Sequence, residues 1–131
     1  MKYLSIVAIM LLLFSCGGNS EIEIGNKTTM EVTPEVFDAG EVIKGEMITA
    51  KFTIKNTGEY PLVLGEVKGG CSCTVAEYPE EPIQPGDTGE ILAHVNTNET
   101  GIGPLNKSVN IVANTEKSIT TVVVRASVMR K

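Results

Sequence analysis

From residue 28 onward apolar and polar side chains alternate, and no stretch sustains the 3.6-residue apolar repeat of an amphipathic helix. The clearest run is residues 48–55, where Ile48, Ala50, Phe52 and Ile54 point one way and Thr49, Lys51, Thr53 and Lys55 the other. A strand with one apolar and one polar face fits an antiparallel sheet that is buried on one side and wet on the other. The same period predicts strands over residues 107–113, with Val109, Ile111 and Ala113 inward, and over 119–128, with Val122, Val124, Ala126 and Val128 inward. Shorter runs at 28–32, 36–42, 61–67, 73–77 and 91–96 complete the set. Asn56-Thr57-Gly58, Gly69-Gly70 and Asn114-Thr115-Glu116-Lys117 supply turn residues between them. Pro79, Pro82 and Pro85 make the 78–86 segment a loop, because each removes a ladder donor. Seven or eight short strands at this spacing predict a single two-sheet antiparallel sandwich, with a small closed barrel as the competing architecture.

The N-terminus follows a different rule. Lys2, an apolar core over residues 6–14 and small residues at 15–18 have the form of an export leader. A core of nine residues is too short for a bilayer-spanning helix, which needs roughly 20. Leu13-Phe14-Ser15-Cys16 also resembles the bacterial lipobox, with Phe14 where a small residue is usual. That resemblance implies removal of residues 1–15, lipidation of Cys16 and attachment to a bacterial membrane. Gly17 stands where aspartate retains lipoproteins at the inner membrane in some bacteria, which points to the outer membrane. Residues 16–27 would then form a lipidated cysteine and flexible tether, with an r.m.s. reach of about 17–20 Å. The sandwich itself would occupy residues 28–131, in the cell envelope and outside the cytoplasm.

Charge narrows the partners. The chain holds 16 acidic against 11 basic residues, and loss of Lys2 with the leader makes the formal charge of −5 one unit more negative. No basic stripe is available to displace counterions from phosphates, so nucleic acid is excluded as a partner. Anionic headgroups would repel the body as well, leaving acyl chains to supply the membrane affinity.

Three motifs resemble the signature of a bacterial family of exported Ig-like sandwiches known only as domain of unknown function 1573. They are Asn56-Thr57-Gly58-x-x-Pro61-Leu62, Gly70-Cys71-Ser72-Cys73-Thr74 and Ile83-Gln84-Pro85-Gly86. Phe37-Asp38-x-Gly40 and Gly103-Pro104 fit the same pattern, so the resemblance spans residues 32–128. It implies an Ig-like fold and export, and it names no activity. Ser72 stands where the family commonly has glycine.

Candidate chemistry is confined to the cysteines. With Cys16 carrying lipid, any intramolecular disulfide must join Cys71 to Cys73. In a regular strand their Cα atoms would stand about 6.5–6.8 Å apart, at the far edge of what a disulfide tolerates, so closure needs a bend that Gly69-Gly70 could supply. The pair is open to three readings: a structural clip, two packed thiols, or a redox or copper-handling site. His94, the single histidine, alternates onto the face opposite Ile91, Ala93 and Val95, as polar cover of an outer sheet surface. Cys71, Cys73 and His94 are too few for a closed zinc site, which wants four ligands, and no cofactor is implied. The reading that follows is a non-catalytic, lipid-anchored binding or structural module that meets an envelope protein through its loops and edge strands. Residues 69–74 and 78–85 are the candidate contact patch.

Overall fold

Among the described residues eight strands form, one for each alternating run: β1 (Met30–Thr33), β2 (Val36–Ile43), β3 (Met47–Asn56), β4 (Leu64–Gly69), β5 (Thr74–Glu77), β6 (Thr88–Asn96), β7 (Gly103–Ala113) and β8 (Ile119–Met129). The computed structural model describes residues 25–131, so the leader, Cys16 and most of the 16–27 tether lie outside the described residues. The strands lie in two sheets of four, ordered β1-β3-β6-β5 and β2-β8-β7-β4. Ile48, Ala50, Phe52 and Ile54 of β3 and Ile91, Ala93 and Val95 of β6 form one inner face of the core. Val109, Ile111 and Ala113 of β7 and Val122, Val124, Ala126 and Val128 of β8 form the other.

One pairing departs from the expected antiparallel sandwich. β2 pairs with β8 in parallel, Val36 opposite Val123 and Val42 opposite Val128. The link from β1 is two residues, Pro34 and Glu35, and it carries the chain into the opposite sheet without a hairpin reversal. Pro34 has no N–H to prolong the β1 ladder. Parallel pairing demands a long connection between the partners, and the five strands between β2 and β8 supply it.

β2 carries a bulge between Asp38 and Glu41. There the Asp38 carboxylate accepts the Gly40 N–H at 2.9 Å and two bonds from the Arg125 guanidinium, at 3.2 and 2.9 Å. The Gly40 N–H first, and then Arg125, hold the Asp38 carboxyl below its ordinary pKa. A depressed carboxylate contributes stability that is present above its unfolded pKa and lost as pH falls through the folded value. Asp38→Asn should therefore reduce the loss of stability below about pH 4, measured by urea titration across pH. The effect should be small because the pair is exposed.

Two edges extend further than the apolar pattern marks. β6 starts at Thr88 because Thr88, Gly89 and Glu90 take up register opposite Lys55, Ile54 and Thr53. β7 starts at Gly103-Pro104, residues that normally end a strand. β4 reaches only Val109 on that side, so Pro104 has a ladder neighbour on one side alone, Ser127 of β8. A missing N–H is tolerated there.

The strand directions give the sandwich two poles. Met30 pairs with Asn56 and Lys55 with Thr88, so the described chain enters at the pole where β3 ends and β6 begins. The opposite pole holds Met47, Asn96 and a one-turn 3₁₀ helix at Thr97–Glu99. Buried Thr97 donates to the Glu46 carbonyl at 2.6 Å and accepts the Gly45 N–H at 2.8 Å, fastening the β2–β3 turn there. Ten residues of β3 separate the poles by roughly 30 Å.

Candidate functional site

β4 and β5 belong to different sheets, and the chain passes from one to the other through Gly70-Cys71-Ser72-Cys73. The two cysteines therefore sit in a turn rather than at the start of a strand. A turn brings their Cα atoms to 5.3 Å, well inside the range a disulfide tolerates, and the sulfurs are bonded. Three backbone bonds fix the turn: Gly70 N–H to Ser108 O at 2.9 Å, Thr74 N–H to Cys71 O at 3.2 Å and Asn96 N–H to Cys73 O at 2.9 Å. Gly69 is required by close approach, since a Cβ there would stand 2.5 Å from Thr74 Cβ. Cys71 is half-buried, Ser72 exposed and Cys73 5% exposed. Thr74, itself buried, places its hydroxyl oxygen 3.7 Å from each sulfur.

A bond spanning three residues restrains the unfolded chain little. The loop-entropy relation gives roughly 1.5 kcal/mol, against about 3 for a loop of 15 residues. The double substitution Cys71→Ser, Cys73→Ser should therefore cost no more than about 1.5 kcal/mol in a urea titration. A loss of 3 kcal/mol or more would show that the cystine staples the domain.

β5 is the outer strand of its sheet, and the two segments of the expected contact patch flank it on either side. Ala76 and Tyr78 pack against the core, whereas Val75 points outward and is 63% exposed. Glu77 on the same strand and Glu80 and Glu81 in the next loop are exposed acidic groups. Beside Val75 on the outer face lies His94. Its Nδ1 meets Thr49 Oγ1 at 3.1 Å and its Nε2 stands 3.5 Å from Glu77 Oε1. Both ring nitrogens thus have neighbours on the sheet surface, and neither is a cysteine. Among the described residues no three His, Cys, Asp or Glu side chains gather closely enough to hold a metal ion.

The 56–62 and 83–86 motifs meet at the opposite pole, around Asn56 and the neighbouring Asn114. Asn56 is fully buried at the end of β3. Its amide donates to Tyr60 O at 2.7 Å and Ile83 O at 2.8 Å, and its oxygen accepts from Thr28 Oγ1 at 2.9 Å and Gly58 N–H at 3.0 Å. Its backbone carbonyl accepts the Gly86 N–H at 2.9 Å. Leu62 and Ile83 exchange both backbone bonds at 2.8 Å. Asn114 has the same role one loop away: its side chain accepts the Val63 N–H and donates to Pro61 O and Asn26 O. The pattern of apolar runs shows Asn56 only as a turn former and Asn114 only as a hairpin residue. Their hub roles depend on carbonyls up to 88 positions away.

Fold and site together define a class: an Ig-like, two-sheet sandwich whose signature residues tie its turns. The chain belongs to the family described as "Protein of unknown function (DUF1573)", whose model matches residues 30–128. It is similar to a protein of unknown function from Porphyromonas gingivalis W83, at 22% identity and a TM-score of 0.69, over 79% of this chain and 48% of that one. It thus spans about half the length of that relative. It is also similar to the ASH / PapD-like domain of human CEP192, at 7% identity and a TM-score of 0.64, over 80% and 88% of the two chains. A third likeness is to a chain of the CsuC-CsuE chaperone-tip adhesion subunit pre-assembly complex of Acinetobacter baumannii, at 11% identity and a TM-score of 0.53, over 76% and 57%. At these identities the likenesses show the fold alone. No curated protein matches the sequence.

Proposed function

We propose that this protein is a lipid-anchored, non-catalytic binding module of the cell envelope that receives an extended segment of a protein partner along β5. The carrying observation is the edge itself: a free outer strand with Val75 projecting from it, framed by the 69–74 and 78–85 segments. A sheet edge offers unpaired backbone groups that a partner strand can complete, and the alternate side chains give selectivity. Glu77, Glu80 and Glu81 favour a segment with basic residues. The Acinetobacter likeness supports the reading by analogy, since that structure pairs a chaperone with an adhesion subunit. The family description assigns no activity, in keeping with a module that binds rather than reacts.

The lipid is attached at Cys16 in this proposal, and the described chain enters at the Asn56 pole, so the tether meets the sandwich at the end remote from the cystine turn. A photo-crosslinking residue at position 75, installed in living cells, should trap one reproducible envelope protein, whereas the same residue at Thr121 on the other sheet should not. Recovery of the uncrosslinked monomer alone from position 75 would overturn the binding edge. Intact mass of the mature protein should show a chain beginning at Cys16 with acyl chains attached, and Cys16→Ala should move the protein out of the membrane fraction.

A further inference from the structure

We propose that the Cys71–Cys73 disulfide is a reversible thiol–disulfide exchange site, opened by a dithiol carried on another protein outside the cytoplasm. The compartment rests on the export reading above; the exchange chemistry does not.

Three observations support it. The bond joins residues separated by one position, so it ties together nothing that the chain does not already hold. The Gly70–Ser108, Thr74–Cys71 and Asn96–Cys73 backbone bonds involve neither sulfur, and they keep the turn in place once the sulfurs part. Access is unequal: Cys71 is half-buried at the surface and Cys73 is enclosed. An incoming thiolate therefore reaches Cys71 Sγ, and Cys73 is the sulfur that leaves.

Thr74 supplies the remaining part. Its hydroxyl is buried and stands 3.7 Å from both sulfurs. A disulfide sulfur is a weak acceptor, whereas a thiolate is a charged and strong one. The same O–H thus binds the departing Cys73 more strongly than it binds the cystine, which favours opening.

The exchange balances as two steps. The partner thiolate forms a bond to Cys71 Sγ, the Cys71–Cys73 bond breaks, and its electron pair leaves on Cys73 Sγ under the Thr74 hydroxyl. The second thiolate of the partner then attacks the partner's own sulfur in the mixed disulfide and releases Cys71 as a thiolate. Both cysteines take protons from solvent. The partner dithiol is oxidised by two electrons to a disulfide, and the cystine is reduced to two thiols.

The test uses the purified mature protein with dithiothreitol as the probe dithiol, at graded ratios of its reduced and oxidised forms. Samples are quenched in acid, alkylated and weighed intact. Two labels should appear together, with the same midpoint approached from the oxidised and the reduced side, while far-ultraviolet circular dichroism stays constant. Thr74→Val should slow reduction about tenfold, the loss expected for one hydrogen bond to a charged group, and Thr74→Ser should restore the rate. Reduction only in denaturant, or loss of the strand signal on reduction, would overturn the exchange site. An unchanged rate in Thr74→Val would remove Thr74 from the mechanism. Neither result depends on lipid at Cys16 or on binding at β5, so failure here is distinguishable from failure of the anchored-module reading.

Discussion

Replacing Asn56 with alanine should lower stability by about 3 kcal/mol, seen as a shift of the urea midpoint at unchanged m-value. The chain has no tryptophan, so circular dichroism is the suitable probe. All four hydrogen-bonding positions of the Asn56 amide are taken, two as donor and two as acceptor. Alanine leaves four former partners, and their surroundings differ. Tyr60 is exposed and Gly58 half-buried, so water can replace the amide at both. Thr28 is 3% exposed and its hydroxyl is left stranded, which costs about 1–3 kcal/mol, whereas the Ile83 carbonyl, 5% exposed, loses one of two donors and keeps the Leu62 N–H. Asn56→Asp separates shape from hydrogen bonding. An ionised aspartate keeps the volume and the acceptor but sets an anion against the Tyr60 and Ile83 carbonyls. It should be at least as damaging as alanine at pH 7 and less so at pH 4, where a protonated carboxyl restores one donor. Equal stability of wild type and Asn56→Asp at pH 7 would refute the hub.

The Asn56 hub also explains why the 56–62 and 83–86 motifs travel together along one sequence. Asn56 needs the Ile83 carbonyl, Ile83 needs Leu62 as its backbone partner, and Gly86 returns its N–H to the Asn56 carbonyl. Gly58 belongs to the same set, because a Cβ there would collide with the Thr28 hydroxyl. These residues form a closed network of turn bonds at one pole. The cystine turn, at the other end of β6, takes no part in it.

Period-two alternation marked all eight strands because one face of each long strand is buried against the facing sheet, and Ile48 to Ile54 or Val122 to Val128 carry that burial in their own composition. Sheet membership was not legible. The four residues of β1 and the start of β2 read as successive strands, and a two-residue link is also the length of a hairpin, so nothing local shows that they lie in different sheets. The start of β7 was hidden for a related reason: whether proline can stand in a strand depends on how far the neighbouring β4 extends. At the candidate site the cysteine pair was visible from its spacing, but the turn that closes it and the Thr74 hydroxyl were not. Thr74 reads as an ordinary strand threonine, and its contact with both sulfurs follows from the tight approach to Gly69. His94 was legible as outer-face polar cover, whereas its neighbours Thr49 and Glu77 come from two other strands.

Phe52→Ala should cost about 4 kcal/mol, the value typical of a fully enclosed phenylalanine and a large share of the 5–15 kcal/mol that holds a domain of this size. Phe52 is 0% exposed in the centre of β3. Its ring meets that of Phe37 edge to face, centroids 6.3 Å apart and planes at 65°. Phe37 lies on β2, so the contact joins the two sheets near the edge where the chain crosses between them. Such an aromatic pair adds roughly 0.5–1.5 kcal/mol beyond the area it buries. Phe37→Ala should cost less than Phe52→Ala, because Phe37 is only half-buried. A double-mutant cycle with both alanines should give a coupling of about 1 kcal/mol. A coupling near zero would mean that β2 is held by its parallel ladder to β8 alone, and the ring of Phe52 would then count only for the space it fills.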